Sequence, residues 1–98
     1  MLLKIHNSYR TVIAICDKEL LGKTFEEGKR EITLNPHFFE GEEKTEQEIL
    51  QAIENGAYSD STFNIVGKRS IETALKAGLI KHVGICKIKD IPIALSLL

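Results

Sequence analysis

Thr11-Val12-Ile13-Ala14-Ile15-Cys16-Asp17 is the stretch that decides the fold. Its β-branched density makes it a strand. Val12, Ala14 and Cys16 point to one side and Ile13 and Ile15 to the other, so both faces are apolar. Such a strand belongs in the middle of a sheet, covered above and below. Upstream, Leu3 and Ile5 mark a second strand, joined to the first through the turn-forming Asn7-Ser8-Tyr9-Arg10 as a hairpin. Downstream, Asp17 stands where an N-cap belongs, ahead of a short turn through Lys18-Glu19-Leu20-Leu21 that Gly22 stops.

Further out, Arg30-Glu31-Ile32-Thr33-Leu34 alternates with period two and reads as a half-buried strand. Asn35-Pro36 ends it, because the residue before proline is pushed towards extended space. Thr45 with Glu48 three positions on forms a capping box, and Ile49, Leu50, Ile53 and Ala57 trace an apolar stripe that Gly56 terminates. Thr62–Val66 fits either a strand or the tail of a helical hairpin, since five residues are too few to fix a period. Lys68–Ala77 is a second helix, closed by a left-handed cap at Gly78. Val83–Ile88 and Ile91–Leu97 read as a closing hairpin around Lys89-Asp90, with Pro92 marking a sheet edge. The order specifies an α+β domain with a mostly antiparallel sheet of about five to six strands and two main helices. Residues 1–98 make a single compact domain, because a second would lack the residues to enclose a core.

The composition, 43% hydrophobic and 28% charged, is that of a folded globular chain rather than a disordered one. Lys4 interrupts the apolar start too early for a secretory segment, and no stretch approaches the length of a membrane span. The sequence therefore points to the cytoplasm, with no membrane partner. A net charge of −1 excludes a globally basic nucleic-acid binder. The charge is nevertheless uneven. Glu40–Glu54 holds six glutamates against Lys44, a net of −5, whereas residues 67–98 hold six cations against Glu72 and Asp90, a net of +4.

Gly22-Lys23-Thr24 suggests a phosphate loop, but that loop needs a glycine at position 17, where Asp17 stands. Asn64-Ile65-Val66-Gly67-Lys68-Arg69-Ser70 is the better anion site. A glycine, two cations and a serine at the start of a helix offer free amides and a positive dipole end. His6, His37 and His82 form no paired ligand spacing with the cysteines, so neither a metal nor a cofactor is expected. Cys16 and Cys86, each flanked by isoleucine, read as buried thiols unsuited to nucleophilic catalysis. Asp17, at the end of the central strand, is the best candidate for a buried functional carboxylate.

The block Cys16-Asp17-Lys18-Glu19-Leu20-Leu21-Gly22-Lys23-Thr24-Phe25 with Gly28, and the later Asn64-Ile65-Val66-Gly67 with Ala74, resemble the signature of a family of small archaeal proteins, domain of unknown function 424. The resemblance implies an information-processing role, because its members tend to lie among genes for translation and ribosome maturation. It also singles out Cys16, Asp17, Gly22, Lys23, Asn64 and Gly67. The family's polar Pro-His-Ala-Gln run reads Pro92-Ile93-Ala94-Leu95 here, which removes any acid–base role for that histidine. The leading expectation is a non-enzymatic interaction module whose partner is RNA, a ribosomal particle or a translation protein. Asp17, Lys23, Asn64, Gly67, Lys68 and Arg69 are its candidate contacts. Two alternatives stand beside it. One is a binder or enzyme for a small phosphorylated ligand held at the N-terminus of the helix starting near Lys68. The other is a structural homo-oligomer pairing through Ile91–Leu97.

Overall fold

An apolar strand with two inward faces needs a layer on each, and the structure supplies both. The structure is a computed structural model describing residues 1–7 and 9–97, Leu97 by its backbone alone. Ser8, in the expected first turn, lies outside the described residues. In chain order the elements are β1 (Leu2–His6), β2 (Val12–Cys16), a 3-10 turn at Lys18–Leu20, β3 (Thr24–Glu27), β4 (Arg30–Thr33) and α1 (Pro36–Phe39). There follow β5 (Glu42–Glu43), α2 (Glu46–Glu54), β6 (Thr62–Val66), α3 (Lys68–Lys76), a second 3-10 turn at His82–Gly84, β7 (Cys86–Ile88) and β8 (Ile91–Leu97). Six strands make one sheet in the order β5-β1-β2-β6-β8-β7, and β3 and β4 pair separately. Every neighbouring pair is antiparallel except β2 and β6, which run parallel with Cys16 opposite Val66. The fold is therefore α+β with a mostly antiparallel sheet.

A parallel pair cannot be closed by a tight turn. The long crossover from β2 to β6 carries the covering elements other than α3, which follows β6. On one face Ile13, Ile15, Phe63, Ile65 and Ala94 pack with Ile49 of α2 and Ile71 and Ala74 of α3. On the other, Ala14, Cys16 and Val66 pack with Leu20, Leu34 and Phe39, flanked by Phe25 and Ile32 of the β3–β4 hairpin. The alternation expected of β2 is thus realised from Ile13 to Cys16, while Val12 is only half-buried. α2 starts as its capping box requires: the Glu48 amide donates to Thr45 Oγ1 at 3.1 Å and the Thr45 amide to Glu48 Oε1 at 3.0 Å. The ambiguous stretch Thr62–Val66 is a strand, lying between β2 and β8.

Three expectations need correction. Pro92 does not mark an edge, because β8 lies inside the sheet between β6 and β7. Its carbonyl accepts from the Gly67 amide at 2.9 Å, so the missing N–H faces the β6 side, where β6 has already ended at Val66. No ladder bond is lost there. The edge is β7, and it is shorter than expected: His82–Gly84 is a 3-10 turn with Val83 almost wholly exposed. Cys86 is exposed rather than buried. Lys89 and Asp90 form the β7–β8 turn with φ of +52° and +64°, the left-handed pair that lets a two-residue hairpin follow the sheet twist.

Candidate functional site

The last residue before the first 3-10 turn is Asp17, and its carboxylate turns away from that turn, making no cap bond there. It reaches instead to the start of α3. Oδ1 accepts from the Ser70 amide at 2.9 Å and from Ser70 Oγ at 2.8 Å, while Oδ2 accepts from the Arg69 amide at 3.2 Å. The backbone locks the same contact, the Asp17 amide donating to the Val66 carbonyl at 3.1 Å. Asp17 is only 5% exposed and Ser70 1%. A carboxylate at this place satisfies two orphan amides and meets the positive end of the helix dipole. The cap of α3 therefore comes from a residue more than fifty positions upstream, on the parallel neighbour of the strand that leads into the helix.

Gly67 makes room for it. It has a φ of +112°, and a Cβ there would overlap the Asp17 carboxylate. Asp17, Gly67, Lys68 and Arg69 thus converge at one end of the sheet, where β2 and β6 both terminate. Lys23 and Asn64 do not join them. Lys23 is exposed between the 3-10 turn and β3. Asn64 sits mid-strand, opposite Ala14 and the 69%-exposed Leu95. The anion site expected at this helix start meets a physical obstacle: the Arg69 and Ser70 amides already bind a carboxylate of the protein itself.

The two thiols differ sharply. Cys16 is fully buried, and burial together with the neighbouring Asp17 charge pushes its thiol up to about 11. A thiol with that pKa is inert as a nucleophile near neutrality. Cys86 is exposed. One fast-reacting thiol is expected in a native titration with a disulfide reagent and two in denaturant; two fast thiols in the native protein would contradict the burial of Cys16. Among the described residues no cluster of three or more metal-ligating side chains occurs, and no helix is long and apolar enough to cross a membrane.

The feature the motifs did not reveal is where the sheet puts its charges. β5, with Glu42 and Glu43, forms one edge and β7, with Lys87, the other. The ion pairs Lys18–Glu43, Lys44–Glu42 and Lys76–Glu46 all draw on the acidic stretch. Among the described residues Lys68, Arg69, Lys81, Lys87 and Lys89 are exposed and make no ion pair. Lys68 and Lys87 line one groove of about 290 Å³ together with Glu72, Asp90, His82 and Pro92. Arg30, from the β3–β4 hairpin, donates from Nη2 to the Lys87 carbonyl at 2.8 Å, bringing Lys29 and Arg30 to the same edge.

The Cys16-Asp17 and Val66-Gly67 segments thus meet at one helix cap. A family model, protein of unknown function (DUF424), matches residues 5–97. The chain belongs to that family. Among solved structures it is similar to an uncharacterized conserved protein from Methanopyrus kandleri, at 24% identity and a TM-score of 0.82. The match covers 96% of this chain and 87% of that one, a likeness of fold. None of the curated proteins matches the chain. Of the residues that the resemblance singles out, Asp17 and Gly67 meet at the cap of α3, whereas Lys23 and Asn64 take no part in it.

Proposed function

We propose that this DUF424 protein is a non-enzymatic interaction module of the cytoplasm. Its β7 edge docks the phosphate backbone of an RNA in a translation- or ribosome-related process. The observation that carries this reading is the segregation of charge across the sheet. The acidic stretch pairs with cations near it, and among the described residues Lys68, Arg69, Lys87 and Lys89 make no ion pair around the opposite edge. Glu72 and Asp90 stand among them but are outnumbered, and the remaining positive field favours an anionic partner. A net charge near zero is no obstacle, because the steering field comes from the local patch rather than from the total.

The phosphorylated-ligand alternative receives less support. At the start of α3 a ligand phosphate would compete with the Asp17 carboxylate for the Arg69 and Ser70 amides.

The test is binding of a labelled single-stranded RNA 12-mer of mixed sequence, measured against salt concentration. Three or four phosphate contacts give a log–log slope of about −2 to −3. Combining Lys68→Ala, Arg69→Ala and Lys87→Ala should flatten that slope by about 2 and lower affinity at least tenfold at low salt. The three side chains are exposed, so the fold should survive. An unchanged slope in the triple variant, or no binding by the native protein at 50 mM salt, refutes the assignment.

A further inference from the structure

The opposite edge of the sheet is open in a different way. The Lys44 amide donates to the Met1 carbonyl at 2.7 Å, and the Met1 ammonium donates to the Lys44 carbonyl at 3.2 Å. Met1 thus presents its backbone groups outward, and strand alternation makes Leu3 and Ile5 do the same. Leu3 is met by Glu42, the first residue of β5. At Gly41 the chain leaves the sheet, passing so close to β1 that a Cβ there would overlap the Leu3 carbonyl. Ile5, paired with Ile13 of β2 on its inner side, consequently faces outward with no strand on its outer side among the described residues. Among the described residues nothing bonds its outward N–H and C=O.

Exposed edges are normally blunted by charge, proline or a bulge. Here the outward residue is an isoleucine, 45% exposed. Beside it runs a groove of about 330 Å³ with Leu3, Ile5 and Tyr58 as its apolar lining and Glu40, Glu42, Lys4 and Lys44 on its wall. Tyr58 is held edge-to-face against the buried Phe63. Of the two lysines, Lys44 Nζ pairs with Glu42 at 3.1 Å, while Lys4 Nζ is turned to the His37 carbonyl at 2.9 Å and keeps its charge. Glu40 makes no ion pair among the described residues.

We propose that the outer edge of β1 at Ile5 accepts one extended, basic peptide strand from a partner protein. The peptide's backbone pairs with Ile5, an apolar side chain enters the groove against Tyr58, and its flanking Lys or Arg residues meet Glu40 and the acidic stretch. This is strand addition to an open sheet edge. Charge complementarity selects the occupant. Lys18 and Lys76 pair with Glu43 and Glu46, and Lys4 stands on the groove wall, yet the six glutamates of the stretch still outnumber the four lysines beside them. A second copy would therefore bring two net-negative faces together, and an RNA strand would meet the same repulsion.

The probes are two capped pentapeptides, Lys-Val-Arg-Val-Lys and its acidic counterpart Glu-Val-Glu-Val-Glu, titrated into isotopically labelled full-length protein and followed by NMR. Saturating basic peptide should slow hydrogen exchange of the Ile5 amide about tenfold or more while leaving the β6 amides unchanged. Ile5→Pro removes the outward donor from an edge position that tolerates proline, and should weaken binding at least tenfold with cooperative melting retained. Should that variant fail to fold, Glu40→Lys, at an exposed side chain, should still weaken the basic peptide by about threefold or more. Unchanged Ile5 exchange at millimolar peptide would overturn the proposal. So would equal binding of the acidic peptide, or Ile5 protection that rises with protein concentration alone, which would make a second copy the occupant.

Discussion

Replacing Asp17 by Ala should remove about 2–4 kcal/mol of stability, measured by urea unfolding of the native and variant proteins. The loss has two parts. An N-cap side chain is worth about 0.5–2 kcal/mol to the helix it starts. Beyond that, the variant leaves the Ser70 amide and hydroxyl buried without an acceptor, at about 1–3 kcal/mol. Ser70 is only 1% exposed, so water has little access to replace the carboxylate. In a domain of this size the midpoint of thermal unfolding should fall by roughly 10–25 °C. Asp17→Asn keeps an oxygen acceptor but loses the charge at the dipole end, so its loss should be smaller, about 1–2 kcal/mol. A loss below about 1 kcal/mol for Asp17→Ala would mean that the three bonds to α3 are not what the buried carboxylate is for. Asp17 would then return as a candidate functional group.

That prediction bears on how much of the site could be read from the chain. Cys16-Asp17 and Val66-Gly67 both stand out in the sequence. The sequence nonetheless suggests the neighbouring turn for Asp17, because a local cap is the only kind that spacing can reveal. The cap of α3 depends on β2 and β6 lying parallel in register, with Cys16 opposite Val66. That pairing is fixed by packing across the whole sheet. Once it exists, the residue after each strand lands beside its counterpart, and an aspartate there reaches the next helix. The glycine belongs to the same contact, since only a residue without Cβ leaves space for the carboxylate. The geometry accounts for both residues through the stability of the start of α3.

Other parts of the fold were legible for a physical reason and unreadable for another. The two long helices and β2 declare themselves because amphipathic period and capping are local properties. β3, α1 and β5 are four residues or fewer, too short for any period, and form where tertiary packing supplies the driving force. Cys86 looks buried from its isoleucine neighbours, yet it lies on an edge strand of three residues. Its neighbour Ile88 is buried on the covered end of that strand. Pro92 suggests an edge because proline lacks a donor, and the rule holds in a narrower form: it needs a backbone position with no acceptor opposite, which an interior strand provides where its neighbour ends. The uneven charge was visible in the sequence. Its separation to opposite sheet edges was not, because the strand order places the late β7 farthest from β5.

Gly67→Ala is the change with the largest expected effect, and its coupling to Asp17 is the more telling measurement. At φ +112° and ψ 155° the backbone lies in a region that is essentially reserved for glycine, so any side chain adds about 1–3 kcal/mol of strain. The new methyl also overlaps the Asp17 carboxylate, which must swing off the α3 amides and so forfeits much of the cap as well. The single variant should therefore lose about 3–6 kcal/mol, a large share of the roughly 5–15 kcal/mol that holds a domain together. In a protein already carrying Asp17→Ala the overlap is gone and no cap remains to lose. Adding Gly67→Ala there should cost only the backbone strain, about 1–3 kcal/mol. The double-mutant cycle should thus show a coupling of about 2–3 kcal/mol between two residues fifty positions apart. Additive losses would place the whole effect of Gly67 in its own backbone conformation. They would leave its closeness to Asp17 without consequence for stability, and the cap would be the work of Asp17 alone.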